Sequence, residues 1–132
     1  MNVASKQLCQ ELYELSRWDA GDKYWNEQYV GIDTKWYVMS RKVVASGRNE
    51  GLDTGIPAYD LAYLLMKLPR VHDGDYHVTI QAVNNNWCAS YDHLEGGTQL
   101  ESFGDTPEDA ACKIAIELFK QGVLKPSDKE VA

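Results

Sequence analysis

Two histidines and two aspartates lie within six consecutive positions of the sequence. They are His72, Asp73, Asp75 and His77. Imidazole nitrogens and carboxylate oxygens bind divalent cations, so this cluster is a candidate metal site and the basis for a small metal-dependent enzyme. His77 also lies between two apolar residues of an alternating segment, a pattern that is typical of a histidine facing solvent on a strand.

A second group contains the residue types of a thiol catalytic site. Cys88, Asp92 and His93 offer a nucleophile, an acid and a base. In a regular strand, Cys88 and Asp92 lie on one face and His93 on the other, and Cys88 beside Trp87 also fits a buried strand residue. The sequence contains none of the common phosphate-binding, zinc-protease, nucleophile-elbow or calcium-loop motifs. We therefore favour a protein without catalytic residues and without a cofactor.

The charge balance argues against general binding of nucleic acid. Thirteen basic and 20 acidic residues give a net charge of -7, whereas a protein that binds phosphates without sequence preference needs a basic face. The densest basic group is a candidate for local nucleic-acid contact, and it also fits a solvated strand edge. Its members are Lys35, Arg41, Lys42 and Arg48.

Aromatic residues are abundant, with four tryptophans and eight tyrosines. Trp and Tyr are frequent anchors of protein interfaces, and they also fill the cores of small domains. Five of them form our candidate partner-binding set: Trp25, Trp36, Tyr59, Tyr63 and Trp87.

The three cysteines are Cys9, Cys88 and Cys112. Their odd number and wide spacing exclude a disulfide framework, and none belongs to a C-x-x-C pair. No apolar run approaches the ~20 residues that span a bilayer, and the first residues show no secretory signal. We therefore expect a cytoplasmic protein that does not bind a membrane.

The best-specified helix begins at Thr106, which fits an N-cap, with Pro107 at the first helical position. Apolar residues then recur at three and four positions up to Phe119, and Gly122 provides a C-terminal stop. This stripe predicts a helix that covers a sheet. Two further helices are predicted at 4–18 and at 57–68.

Strands are predicted as a pair within 23–45 and as a group of three at 76–83, 87–94 and 98–103. A surface loop is expected at 46–55. Because the sheet connections are hairpins, we predict an α+β fold with an antiparallel sheet of about four to five strands and three helices packed mainly on one face. A single domain is expected over 1–124, followed by a frayed polar tail at 125–132.

Three blocks of the sequence carry a resemblance. They are LCQELYELSRW (8–18), IPAYDLAYLLMKLP (56–69) and GDTPEDAACKIAIELFKQG (104–122). Their combination resembles small uncharacterised proteins encoded by bacteriophages and prophages. The resemblance implies a phage or prophage source and a bacterial host cytoplasm, and it implies no catalytic residues.

Residues 76–120 carry a more local resemblance. Three short strands followed by a helix that starts with GDTPEDA are similar to the partial ribonuclease-H-like module of HicB-type antitoxins. That resemblance implies a module that binds a small toxin protein.

We therefore expect a phage or prophage accessory protein that acts without catalysis, by binding another protein or a second copy of itself. The alternatives are a HicB-like binding module and a metal-dependent enzyme at the 72–77 cluster.

Overall fold

A computed structural model describes residues 2–19, 23–30, 33–40, 55–72 and 74–126. Almost all of the loop predicted at 46–55, and most of the tail predicted at 125–132, lie outside these residues. The described residues contain three helices and seven strands. In chain order they are α1 (Lys6–Ser16), β1 (Lys23–Val30), β2 (Asp33–Ser40), β3 (Ile56–Pro57), α2 (Leu61–Lys67), β4 (Val71–His72), β5 (Tyr76–Val83), β6 (Asn86–His93), β7 (Thr98–Gly104) and α3 (Pro107–Lys120).

The strands form two antiparallel sheets, with strand orders β2-β1-β3 and β4-β5-β6-β7. The predicted α+β class with antiparallel strands and three helices is confirmed, but two sheets replace the predicted single sheet of about four to five strands. The reason lies in the two shortest strands. β3 pairs with the edge of β1 that faces away from β2, where Ile56 lies opposite Trp25. β4 pairs with the edge of β5 that faces away from β6. These edges are therefore occupied, and β1 and β5 do not pair with each other to join the two groups of strands into one sheet.

Helix α3 lies at the centre of the described structure. It packs against β5, β6 and β7, and both α1 and α2 contact it as well. The sequence predicted one apolar stripe, whereas α3 is buried over most of its circumference because it is covered from more than one side. Small residues allow this close packing. Its buried residues are Ala110, Ala111, Cys112, Ile114, Ala115, Ile116 and Leu118.

Side-chain caps define where the helices begin. The Ser5 hydroxyl accepts a hydrogen bond from the Leu8 amide, and the Thr106 hydroxyl accepts one from the Asp109 amide at 3.0 Å, which confirms the predicted Thr106 cap. The predicted start of the second helix at Pro57 is wrong. Pro57 belongs to β3, and α2 begins only after Asp60, whose carboxylate caps it.

An aromatic cluster joins the three helices. The Tyr59 ring stacks on Tyr63 with 5.6 Å between centroids, and Trp18 contacts Tyr63 and Phe119 edge to face. The Tyr59 hydroxyl donates a hydrogen bond of 2.6 Å to the Trp18 carbonyl. This bond satisfies a phenol that has no contact with solvent.

The end of β7 lies unusually close to the start of α3. A Cβ atom at Gly104 would lie 2.6 Å from the Ala110 amide nitrogen and 2.8 Å from the Asp109 Cβ. Real Cβ contacts of this kind are not found, and the nearest obstacle is backbone that cannot rotate away. The absence of a side chain at Gly104 therefore allows β7 and α3 to approach this closely.

We expect Gly104→Ala to lower the free energy of unfolding by about 1–3 kcal/mol, because the added methyl group forces α3 away from the sheet. Ser102→Ala in the same strand is the control, and its effect should stay within about 0.5 kcal/mol. Urea denaturation followed by circular dichroism measures both. A Gly104→Ala protein that is as stable as the wild type would show that α3 shifts without loss of packing.

Among the described residues, no helix combines the length and apolar character needed to cross a bilayer.

Candidate functional site

The predicted metal cluster is only partly described, because Asp73 lies outside the described residues. Antiparallel pairing sets His72 opposite the residue before His77, so the two histidines hold neighbouring and not facing positions of the ladder. The Asp75 carboxylate instead lies 3.8 Å from Nε2 of His93. Within the described ranges, no three histidine, cysteine, aspartate or glutamate residues form a group that could hold a metal ion.

The three residues of the candidate thiol site are not brought together for catalysis. Cys88 is 3% exposed, and burial raises the pKa of its thiol, which disfavours the nucleophilic thiolate. The Asp92 carboxylate accepts a hydrogen bond from the Thr98 hydroxyl at 2.9 Å. Nδ1 of His93 accepts one from the Glu95 amide at 3.0 Å. The acid and the base of the set thus stabilise the turn between β6 and β7.

Three members of the candidate nucleic-acid group, Arg41, Lys42 and Arg48, lie outside the described residues. The fourth, Lys35, is an exposed residue of β2, an outer strand of the three-stranded sheet among the described residues. A lysine on an outer strand commonly prevents the sheet edge from pairing with another chain.

Four of the five candidate aromatic residues belong to the packing of the core. Tyr59 is fully buried, so it is removed from the candidate interface. Trp25, Tyr63 and Trp87 are partly buried and pack against the core. Trp36 is partly buried, and Nζ of Lys6 lies 4.5 Å from its ring centroid, an arrangement that is typical of a cation–π contact.

Phe103 is an exposed aromatic residue outside the five candidates that the sequence indicated. Its side chain is 44% exposed, and it lies on β7, which is the last strand in the order of the four-stranded sheet. The sequence holds a signal for it. Leu100 and Phe103 are three positions apart in one strand, so they lie on opposite faces. Leu100 packs against the core, and Phe103 is left on the other face.

A groove runs beside β7, between this strand and the helices α1 and α3. It consists of two hollows of about 440 and 460 Å³, which share Leu8, Glu11 and Lys113. Leu8, Phe103 and Ile116 are its apolar residues, and polar and charged residues line the rest. We call it the β7 groove, and it is lined by Ser5, Gln7, Leu8, Glu11, Glu101, Ser102, Phe103, Asp105, Asp109, Lys113, Ile116, Glu117 and Lys120.

The basic side chains of the β7 groove already have partners. Nζ of Lys113 donates a hydrogen bond of 2.8 Å to the Phe103 carbonyl oxygen, and Nζ of Lys120 lies 3.5 Å from the Glu11 carboxylate. Both contacts are surface contacts, which contribute little to stability. They leave the groove with an excess of negative charge.

Several of its acidic side chains have no such partner. Glu101, Glu117 and Asp105 form no ion pair within the part of the chain that the structure describes. Asp109 is used differently, because its carboxylate accepts a hydrogen bond of 2.8 Å from the Ser5 amide and so ties the start of α3 to the start of α1. The groove therefore offers three carboxylates to an incoming group.

Comparisons of the chain with protein-family profiles, with curated proteins and with solved structures found no match.

Proposed function

We propose that this protein acts without catalysis, by binding another protein through the β7 groove. The observation that carries the proposal is the position of β7. It is an outer strand without a strand partner on its far side among the described residues, and an exposed aromatic residue and a groove lie beside it. Sheet edges of this kind accept a further strand from a partner.

The arrangement of the other candidate residues supports the same proposal. Cys88 is buried with a raised pKa, and the side chains of Asp92 and His93 are engaged in local hydrogen bonds. A binding protein needs none of these groups to react. It needs an accessible surface with an apolar centre and a polar rim, and Phe103 with the surrounding charges of the β7 groove has this composition.

The resemblance of the three helical blocks supports a phage or prophage accessory role in the cytoplasm of a bacterial host. The unit β5-β6-β7-α3 has the order of three strands and a helix that the HicB resemblance implies. A small toxin protein is therefore a second candidate partner.

The test compares capture of proteins from bacterial lysate by the tagged wild type and by Phe103→Ala. We expect the wild type to retain one protein in stoichiometric amount, and Phe103→Ala to weaken its binding about tenfold or more, since aromatic anchors at an interface centre carry much of the binding energy. Leu94→Ala is the matched control, because Leu94 is 84% exposed on the turn between β6 and β7 and does not line the groove.

Equal weakening by both substitutions would place the interface elsewhere, and a wild type that captures nothing would contradict the proposed function. Because both side chains are exposed, neither substitution should change the circular dichroism spectrum or the unfolding midpoint appreciably.

A further inference from the structure

We infer that the β7 groove binds an extended, positively charged peptide segment of the partner, which adds to the four-stranded sheet as a fifth strand beside β7. This inference rests on the proposed function, and it specifies the chemistry of the partner. Three features support it: the backbone groups of β7, the carboxylates of the groove that form no ion pair among the described residues, and the position of Lys113.

The backbone of β7 provides the pairing surface. In an antiparallel strand, the N–H and C=O groups of one residue point to the same side, and those of the next residue point to the other. The Phe103 carbonyl is the one that Lys113 reaches, so Phe103 and Glu101, two positions earlier, offer their backbone groups on the side away from β6. An extended peptide along this side forms hydrogen bonds with both residues.

Charge selects the kind of peptide. Glu101, Glu117 and Asp105 line the groove without ion pairs among the described residues, and the whole chain carries a net charge of -7. A lysine or arginine that faces Glu101 across the new strand pair forms a favourable cross-strand contact. Apolar residues of the peptide that alternate with it lie on the other face of the sheet, where they can cover Ile116. A peptide with alternating basic and apolar residues therefore fits both features.

The same charges disfavour a second copy of this chain as the occupant. Two β7 strands can pair antiparallel about residue 101, 102 or 103. Pairing about residue 101 places Glu101 opposite Glu101 of the second copy, and pairing about residue 103 places it opposite Asp105 of the second copy. Like charges directly opposite each other destabilise a strand pair. Two acidic grooves would also be brought together.

Lys113 covers the pairing surface in the free protein. Its ammonium group occupies the Phe103 carbonyl oxygen, which an incoming N–H group would use. Lysine at a sheet edge of this kind opposes uncontrolled pairing. Binding of the peptide therefore replaces one hydrogen bond to this oxygen by another, and removal of the Lys113 ammonium should strengthen binding.

The experiment uses two synthetic eight-residue peptides in which valine alternates with lysine or with glutamate. Fluorescence anisotropy measures their binding to the 132-residue chain at low and at moderate salt. We expect the lysine peptide to bind at least tenfold more tightly than the glutamate peptide, with the difference shrinking as salt screens the charges. A lysine peptide with N-methyl groups along one edge should lose binding, because it cannot pair with β7.

Replacing acidic residues of the protein by lysine provides a second test. Glu101→Lys combined with Glu117→Lys should reverse the preference between the two peptides, and Glu14→Lys combined with Glu95→Lys should not. Glu14 and Glu95 are exposed and do not line the groove, so this second pair controls for net charge. Lys113→Met, which keeps most of the apolar stem, should tighten binding of the lysine peptide about threefold or more.

Equal binding of both peptides, or an N-methylated peptide that binds as well as its parent, would overturn this inference. So would a dimer in light scattering that disappears in Phe103→Ala, because it would identify a second copy as the occupant. If a captured partner depends on Phe103 but the lysine peptide does not bind, the proposed function stands and only the charged-strand inference fails.

Discussion

The free energy of unfolding should fall by several kcal/mol as the pH rises from 9 to 11. Four titratable side chains, Cys9, Cys112, Tyr59 and Tyr91, have no contact with solvent, and burial raises the pKa of each of them. The pKa of Cys9 is raised from 9.0 to about 11, and that of Tyr91 from 10.0 to about 12. All four groups are neutral when protonated, so the folded state disfavours the loss of their protons.

The direction of the effect follows from proton counting. Between the unfolded and the folded pKa of a group, the unfolded chain has lost a proton that the folded chain keeps, so the stability falls as pH rises. Each group then costs about 1.4 kcal/mol per pH unit. At pH 11, Cys9 and Tyr91 together contribute about 4 kcal/mol of lost stability, to which Cys112 and Tyr59 add. Because small domains are stable by about 5–15 kcal/mol, this loss approaches the total.

Urea denaturation followed by tryptophan fluorescence at pH 7, 9, 10 and 11 measures the effect, with a reducing agent to keep the thiols of the unfolded chain reduced. Tyr91→Phe provides the internal comparison. It removes a hydrogen bond of 2.7 Å from the hydroxyl to the Pro69 carbonyl, which lowers stability at pH 7 by about 1 kcal/mol or more. The variant also lacks one titrating group, so its curve should be shallower above pH 10. Stability that stays constant from pH 8 to 11 would contradict the burial of these groups.

The elements that the sequence predicted well are those whose signals are local. Thr106 caps its own helix through an amide three residues away, and Gly122 has the positive φ of 79° that helix ends favour. Helix caps and turns depend only on residues that are close in the sequence, so they can be predicted without knowing the fold.

The elements that were missed depend on residues that are distant in the sequence. β3 and β4 have two residues each, too few to show an alternating pattern, and they exist because β1 and β5 offer pairing edges. Tyr59 is in the core because its hydroxyl reaches the carbonyl of Trp18, 41 positions earlier. A tyrosine beside a helix start has no local feature that distinguishes this environment from an interface.

The β7 groove is likewise formed by residues that are distant in the sequence. Its apolar and acidic residues come from α1, β7, α3 and, for Asp105, the turn between β7 and α3, and the contact between Lys113 and Phe103 joins helix α3 to strand β7. The charge of each residue is visible in the sequence, but the outer position of β7 follows from the strand order, which hairpin patterns leave open. The sequence could therefore predict the kinds of residue in a candidate interface, but not which strand and helices form it.

Replacement of Ile114 by alanine should lower the free energy of unfolding by about 3–5 kcal/mol, more than Gly104→Ala or Tyr91→Phe. Ile114 is completely buried on α3, and α3 contacts the four-stranded sheet, α1 and α2. Removal of three carbon atoms from such a site loses their transfer free energy and leaves a cavity that the surrounding elements cannot easily fill. The adjacent residues Ala110, Ala111 and Ala115 are small, so they have no side chains with which to refill it.

Ile116→Ala is the matched control, since it makes the same chemical change on the same helix. Ile116 is 5% exposed and lines the β7 groove, so water can occupy the space that the missing atoms leave, and we expect a cost of about 1–3 kcal/mol. Urea denaturation at pH 7 compares the two variants, and the dependence on urea concentration should be the same for both. Equal costs would mean that Ile114 is no more enclosed than Ile116. The central position of α3, on which the geometry of β7 and its groove depends, would then have to be revised.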